Sequence, residues 1–282
     1  MKTILCCTDG SLYAPSVYDH TIWAARRTNA EVVVLHMLDP QRDVSAVHDF
    51  SGNLEPDEGE ELMKEMVALE EAKSKVANAK GRMMLKAARQ HFEAAGMPDI
   101  RAEQRHGTLV ETLEKIDGDF VVIGKRGENV DFARLHLGAN LERVIRSSHR
   151  PVLVASRAFQ EIDRWVLAFD GSASAHKAVA FAASQALLRE VPCLLLSVGK
   201  ESAWLEKEIE KAREGLESTG TAVTTRVVPG EPEKVIPDVI EKEKIPLLAM
   251  GAYGHSRIRH LIVGSTTTEM VRTCRVPVLL FR

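Results

Sequence analysis

Two apolar runs that each end in an Asp-Gly-Ser tripeptide decide the fold of this chain. They are ILCCTDGS at residues 4–11 and VLAFDGS at residues 166–172. Short apolar runs bounded by turn residues are typical of buried β-strands. A glycine directly after such a strand allows a positive φ before the next element begins. The same strand and turn are therefore predicted near the start of each half of the chain.

The end of each half is repeated as well. Residues 138–154, from GAN to PVLV, align without a gap on residues 264–280, from GST to PVLL. Asp170 follows Asp9 by 161 positions, whereas Gly264 follows Gly138 by only 126, so the first half carries about 35 additional residues. We predict two copies of one unit: a first copy at residues 1–157 and a second copy at residues 158–282.

Within both copies, apolar runs alternate with helical patterns, which predicts βαβ units and a parallel sheet. The predicted strands are residues 3–8, 32–37, 100–105, 120–123 and 152–155, and then 165–169, 193–198, 222–228, 246–250 and 278–281. The predicted helices of the second copy are residues 173–189, 203–218, 233–243 and 265–273. Five parallel strands with right-handed crossovers give each copy a three-layer α/β sandwich, with ligands beyond the carboxyl ends of the strands.

The additional residues of the first copy fall between its second and third strands, at about 41–97. Residues 48–59 are polar, acidic and rich in turn residues, which is typical of an exposed loop. Residues 60–95 predict a long helix with an apolar residue at every seventh position: Leu62, Leu69, Val76 and Met83. The rest of that stripe is too polar for a coiled coil. Two interpretations remain open: an elongated crossover helix, with Gly81 as a possible break, and a partner-binding arm.

Composition narrows the class of protein. The chain has 282 residues, 45% of them hydrophobic, with a formal net charge of −3 and a pI near 6.4. A nucleic-acid-binding domain is usually clearly basic, so no nucleic-acid partner is expected. The four cysteines form no CxxC pair, which argues against a disulfide framework or a zinc site. The first apolar run is too short for a signal peptide or a membrane span, so we expect a cytoplasmic protein with no membrane partner.

A glycine-rich segment follows the predicted strand 246–250. Gly251 and Gly254 are separated by two residues, and nine more residues lead to Gly264, Ser265 and Thr266. Glycines allow a close approach of the backbone to a bulky anion. The N–H groups of the helix that begins next favour negative charge. His255, just after the second glycine, adds positive charge when protonated. This pattern predicts a phosphate site.

The ordered set of strand, Asp-Gly-Ser, Gly-x-x-Gly-x9-Gly-Ser/Thr and final Pro-Val-Leu-Leu strand resembles the universal stress protein family in its tandem form. The resemblance implies two Rossmann-like domains of the adenine nucleotide alpha hydrolase type, packed as a pseudo-dimer, and binding of ATP, or of ADP or AMP, with Mg²⁺ as a possible companion. Carried onto this chain, it places Asp170 and Val198 beside adenine. It places Met250, Gly251 and Gly254 at the ribose and phosphate entrance, and Gly264, Ser265 and Thr266 at the β- and γ-phosphates.

Each of these assignments has a structural alternative that the sequence leaves open. Asp170 is also suited to an Asx turn or a helix cap. The sole role of Gly254 could be to shape a loop, and the sole role of Ser265 could be that of an N-cap. His255 can be a solvated loop residue without a catalytic partner.

The two copies differ at the glycine loop. In the first copy ten residues separate Gly127 from Gly138, and Ala139 stands where the second copy has Ser265. Ala139 lacks a hydroxyl donor for a phosphate oxygen, and Glu128 adds a carboxylate that would repel one. We expect the second copy to be the nucleotide site and the first to be degenerate, binding something smaller or nothing.

The sequence therefore predicts a stress-related regulatory module that binds an adenine nucleotide and acts on an unidentified protein partner. Neither glycine loop contains a Walker lysine, so we expect slow ATP hydrolysis at most and assign no catalytic residue. A scaffold without nucleotide is the alternative. Residues 152–155 and 278–281 are predicted to pair as otherwise open sheet edges. A homodimer of the whole chain is possible.

Overall fold

The computed structural model describes residues 1–38, 56–125, 138–252 and 265–282. The first copy contributes five strands: β1 (Thr3–Thr8), β2 (Glu31–Leu38), β3 (Arg101–His106), β4 (Phe120–Gly124) and β5 (Val152–Ala155). The second copy contributes β6 (Trp165–Ala168), β7 (Cys193–Val198), β8 (Val223–Val228), β9 (Leu248–Gly251) and β10 (Val278–Phe281). These strands match the predicted ones to within about two residues at each end, which confirms the α/β class.

All ten strands form one sheet in the order β3-β2-β1-β4-β5-β10-β9-β6-β7-β8. Each copy supplies five neighbouring parallel strands, and the two sets meet at β5 and β10, which pair antiparallel. Leu279 lies opposite Leu153 at the centre of this pair. The predicted pairing of the two final strands is confirmed, because each closes an edge that would otherwise expose unpaired backbone groups.

Eight helices cover the two faces of the sheet in the described part of the chain. They are α1 (Ala14–Thr28), α2 (Pro56–Ala94), α3 (Leu109–Lys115), α4 (Ala139–Ser147), α5 (Ala173–Ser184), α6 (Ala203–Glu217), α7 (Pro232–Glu243) and α8 (Ser265–Thr273). Alternate strand residues belong to different cores: Ile4 and Trp165 to one, Leu5 and Val166 to the other. Both cores run across the two copies, so the joined sheet has the three-layer arrangement expected of this fold.

The prediction of one helix over residues 173–189 is wrong. Helix α5 ends at Ser184, Gln185 is extended, and a short 3-10 helix follows at Ala186–Leu188. The guanidinium of Arg27, on α1 of the first copy, donates to the carbonyl of Leu187 at 3.2 Å. The side chain of Leu187 is fully buried. Burial of this turn and its contacts with the other copy therefore end the helix early.

The possible break at Gly81 is absent, because α2 continues through it. A Cβ at this position would lie 2.2 Å from Oε1 of Gln104 and 2.8 Å from Cδ2 of His36. The glycine therefore serves the close approach of α2 to β2 and β3 rather than a change of direction. It tolerates the helical conformation at some cost in propensity.

Candidate functional site

The carboxyl ends of three strands bring the predicted adenine-site residues of the second copy together. Ala168 lies opposite Leu196 on β7 and opposite Met250 on β9. Two residues beyond Ala168, this register places Asp170 level with Val198. The bond from the Phe169 N–H to the Leu196 carbonyl, 2.8 Å, continues the pairing past the end of β6. Residues far apart in sequence thus share one edge of the sheet, as the topology predicts.

Asp170 forms an Asx turn, which is the structural alternative that the sequence left open for this residue. Its Oδ1 accepts from the backbone N–H of Ser172 at 2.9 Å, and the Ser172 hydroxyl then caps α5 by accepting from the Ala175 N–H. The first copy repeats this turn, with Asp9 accepting from the Ser11 N–H at 3.0 Å. The shared aspartate therefore has a fold-level role in both copies, and the Asp170 side chain remains exposed at the edge.

Trp204 lies beside the candidate site and was not singled out by the sequence reasoning. It lies in the first turn of α6 and is 57% exposed. A Cβ built on Gly171 would lie 2.5 Å from Cη2 of its indole ring, so the ring lies directly against the backbone beside Asp170. A large aromatic residue at the start of the helix after the second strand was the available signal. The φ of +72° at Gly171 favours a glycine there, and the missing side chain leaves the space that the ring occupies.

Gly251 is required by packing at the end of β9. A Cβ there would lie 2.4 Å from the hydroxyl oxygen of Ser174 and 2.9 Å from the Ala175 nitrogen. This close approach sets the end of β9 against the first turn of α5. The preceding residue, Met250, is buried in the core.

The predicted phosphate end of the site is described only in part. Helix α8 begins at Ser265, at the position expected for its N-terminus. The hydroxyl of Thr266 donates to Oε1 of Glu233 on α7. A phosphate contact from Thr266 would therefore use its backbone N–H. Gly254, His255 and Gly264 lie outside the described residues.

The first copy has a cavity at the corresponding edge. Its volume is about 70 Å³, and its lining includes Asp9, Met37, Gly124, Gly138 and Asn140. Binding sites for drug-sized ligands usually span about 300–1,000 Å³. The cavity is therefore small for a nucleotide.

Met84 and Cys7 define the chemistry of this first-copy edge. A Cβ on Gly10 would lie 2.8 Å from Sδ of Met84, so a thioether from α2 covers the turn that Trp204 covers in the second copy. Burial raises the pKa of the Cys7 thiol well above its ordinary value of 9.0. The Cys7 thiol, which lines the cavity, therefore stays protonated at neutral pH.

Among the described residues, no group of three or more His, Cys, Asp or Glu side chains is arranged to hold a metal ion. No described helix is both long and apolar enough to cross a bilayer.

Comparison with known proteins gives consistent matches over the whole length. The model of the universal stress protein family matches residues 1–156 and again residues 161–282. A universal stress protein of Synechocystis is 39% identical over 288 residues, covering 100% of both chains. One from Methanocaldococcus jannaschii is 32% identical over 165 residues, covering 57% of this chain and 85% of its own. The crystal structure of a universal stress protein from Archaeoglobus fulgidus matches with a TM-score of 0.71 at 21% identity, covering 99% of this chain and 98% of its own.

Proposed function

Because this chain belongs to the universal stress protein family, we propose that it is a regulatory module that binds ATP, or the related ADP or AMP, in the second copy. The base lies at the carboxyl edge of β6 and β7, and the phosphates lie at the N-terminus of α8. The observation that carries this proposal is the exposed indole of Trp204 against the Gly171 backbone, next to Asp170.

The base end of the site offers apolar surface and polar edges together. Stacking of a nucleobase on an aromatic ring is worth about 1–3 kcal/mol, and Trp204 presents such a ring. The half-buried Val198 and the exposed Asp170 carboxylate are level with each other across β6 and β7. The carboxylate can accept a hydrogen bond from the exocyclic amino group of adenine. These features support an adenine base over a ligand without an aromatic ring.

At the proposed phosphate end of the site, some groups attract a phosphate and others repel it. The N-terminus of α8 favours a phosphate by its free N–H groups and its dipole. Glu233 next to Thr266 would repel the same group. Carboxylate oxygens are ligands that Mg²⁺ prefers, usually with several waters retained. The residues present therefore suit a nucleotide that arrives with Mg²⁺, whose charge offsets that of Glu233.

Titration of nucleotide-stripped protein with Mg-ATP tests this function. We expect one site per chain, with a change in the fluorescence of Trp204, since Trp165 is 1% exposed and Trp23 lies on α1 of the first copy. Trp204→Ala should weaken ATP binding about tenfold, the equivalent of about 1.4 kcal/mol, whereas Trp204→Phe should retain most of the affinity because a ring remains.

The matched control is Met84→Ala, which removes the side chain that covers the equivalent turn in the first copy. It should leave ATP affinity unchanged if the second copy is the site. Two equal sites, an absence of binding, or a larger loss in Met84→Ala than in Trp204→Ala would contradict the proposal.

A further inference from the structure

A second pocket lies at the junction of the two copies, next to the β5–β10 pair. Its volume is about 420 Å³, within the range of small-molecule sites. Residues that line it come from three places: Tyr13 and Lys125 from the first copy, Arg157 and Gln160 from the connection between the copies, and Arg272 and Arg275 from the second. It shares no described lining residue with the cavity beside Asp9.

The described wall of this junction pocket carries positive charge. Four of its lining residues are cations, and none of the described lining residues is Asp or Glu. Two of the cations have structural uses. Lys125 donates to the carbonyl of Cys274, just past the end of α8, and Arg272 forms an ion pair with Glu269 at 2.6 Å. Cations are favourable there because of the dipole at a helix C-terminus.

Arg157 and Arg275 have no comparable structural role in the described part of the chain. Both are exposed, and neither forms a hydrogen bond or ion pair with the described part of the chain. A concave wall with unbalanced positive charge concentrates the field on the pocket and attracts anions. In the repeat, Arg146 corresponds to Arg272 and likewise pairs with a glutamate of its own helix, whereas the position of Arg275 is His149 in the first copy.

The connection that carries Arg157 is held in place on both sides. The Ser16 hydroxyl donates to the carbonyl of Ser156 at 2.8 Å, and the Ser156 hydroxyl donates to the carbonyl of Ala158 at 2.7 Å. Phe159 packs edge-on against His20, with ring centroids 5.1 Å apart. The backbone on either side of Arg157 is therefore ordered before any ligand arrives, which lowers the entropic cost of binding.

We propose that the junction pocket binds a small anion with two or more phosphate groups, held by Arg157 and Arg275. The guanidinium group matches phosphate oxygens with two parallel hydrogen bonds. The Tyr13 hydroxyl and the Gln160 amide are further donors on the wall of the pocket. Because the pocket is built from both copies and their connection, a bound phosphorylated metabolite would stabilise the junction between them. This role is separate from nucleotide binding at Trp204.

Calorimetric titration of the full chain with inorganic pyrophosphate, at two salt concentrations, tests this proposal. We expect one set of sites whose affinity falls as salt rises. We expect a loss of affinity of at least about tenfold in Arg157→Ala/Arg275→Ala, since hydrogen bonds between charged groups are stronger than those between neutral groups. Both side chains are exposed, so the variant should fold, which its thermal unfolding checks.

The matched control is Lys86→Ala/Lys207→Ala, which removes the same charge from two exposed positions within α2 and α6. It should bind pyrophosphate as the unaltered chain does. Full affinity in Arg157→Ala/Arg275→Ala would place the anion elsewhere and overturn the proposal, as would an absence of binding. Tighter binding of citrate than of pyrophosphate would overturn the assignment to phosphate.

Discussion

Gly171 illustrates at the scale of single residues how one glycine serves both the fold and the site. It adopts a φ of +72° directly after Asp170, and its missing side chain leaves the space that the Trp204 ring occupies. Gly10 repeats the backbone requirement with a φ of +69° but is covered by Met84. The turn is thus common to both copies, while the side chain over it differs.

Substitution of Gly171 separates these two requirements. Gly171→Ala should cost the free energy of a positive φ, about 1–2 kcal/mol, plus the clash of its Cβ with Trp204. Gly96 has a φ of +75° and no atom within 4 Å of a built Cβ, so Gly96→Ala should show the backbone cost alone. Urea unfolding of both variants measures the difference, which we expect to be about 1 kcal/mol.

A double variant checks the cause. The free energy of unfolding of Trp204→Ala/Gly171→Ala should lie below that of Trp204→Ala by the backbone cost alone, because the clash with the ring is gone. Equal losses in Gly171→Ala and Gly96→Ala would show that Trp204 moves freely away from the turn.

At the scale of elements, helix α2 has a packed half and an exposed half. Its C-terminal half is a crossover helix: Ala88 and Phe92 are fully buried, and His91 bonds to Asp19 of α1 at 2.7 Å. Further towards its N-terminus the apolar residues of the seven-residue repeat are exposed, among them Leu69 at 55% and Val76 at 68%. The crossover interpretation is confirmed for the packed half, and a role of the exposed half in contacting a partner stays a prediction.

The two halves of α2 should respond differently to truncation of a side chain. Phe92→Ala should lower the free energy of unfolding by about 3–5 kcal/mol, because it leaves a cavity in the core. Leu69→Ala should change it by less than about 0.5 kcal/mol, as is usual for an exposed position. Chemical denaturation followed by circular dichroism measures both, and a large loss in Leu69→Ala would mean that this part of α2 is covered in solution.

At the scale of the whole molecule, the β5–β10 pair joins the copies into one body. These two strands are four residues long and pair antiparallel, and both hydrophobic cores continue across the pair. We propose that the chain divides into domains at residues 157 and 158, inside the connection that carries Arg157. On this division, the pair of strands and the connection hold the two α/β units together.

Charged residues on β10 should loosen the association of the two copies. Val278 and Leu280 are 1% and 2% exposed, so Val278→Asp/Leu280→Asp would bury two charges at a cost of several kcal/mol. We expect a lower unfolding midpoint, a larger radius of gyration by X-ray scattering, and new proteolysis near residues 156–163. Val67→Asp/Leu69→Asp, at positions 52% and 55% exposed on α2, is the matched control. Unchanged stability and compactness of the β10 variant would refute the prediction.

The sequence was sufficient for the type and order of the elements. Apolar runs and turn residues are local signals, and the internal repeat supplied each of them twice, which is why the strands and the pairing of β5 with β10 were predicted correctly. The common edge of Asp170, Val198 and Gly251 followed from topology alone, since parallel strands end on one side. The assignment of nucleotide roles to these residues, and to Gly254, His255, Gly264, Ser265 and Thr266, stays a prediction.

Only the tertiary structure decided what surrounds these positions. Four features depend on residues far apart in sequence. They are the end of α5 at Ser184, the hydrogen bond from Thr266 to Glu233, the Trp204 ring over Gly171, and the pocket that Arg157 and Arg275 both line. No local pattern encodes such contacts, because their free energy arises only when separate elements have packed. The sequence by itself therefore determined two strand frameworks and the edge at which the candidate site lies, and packing between distant side chains determined which groups each edge offers.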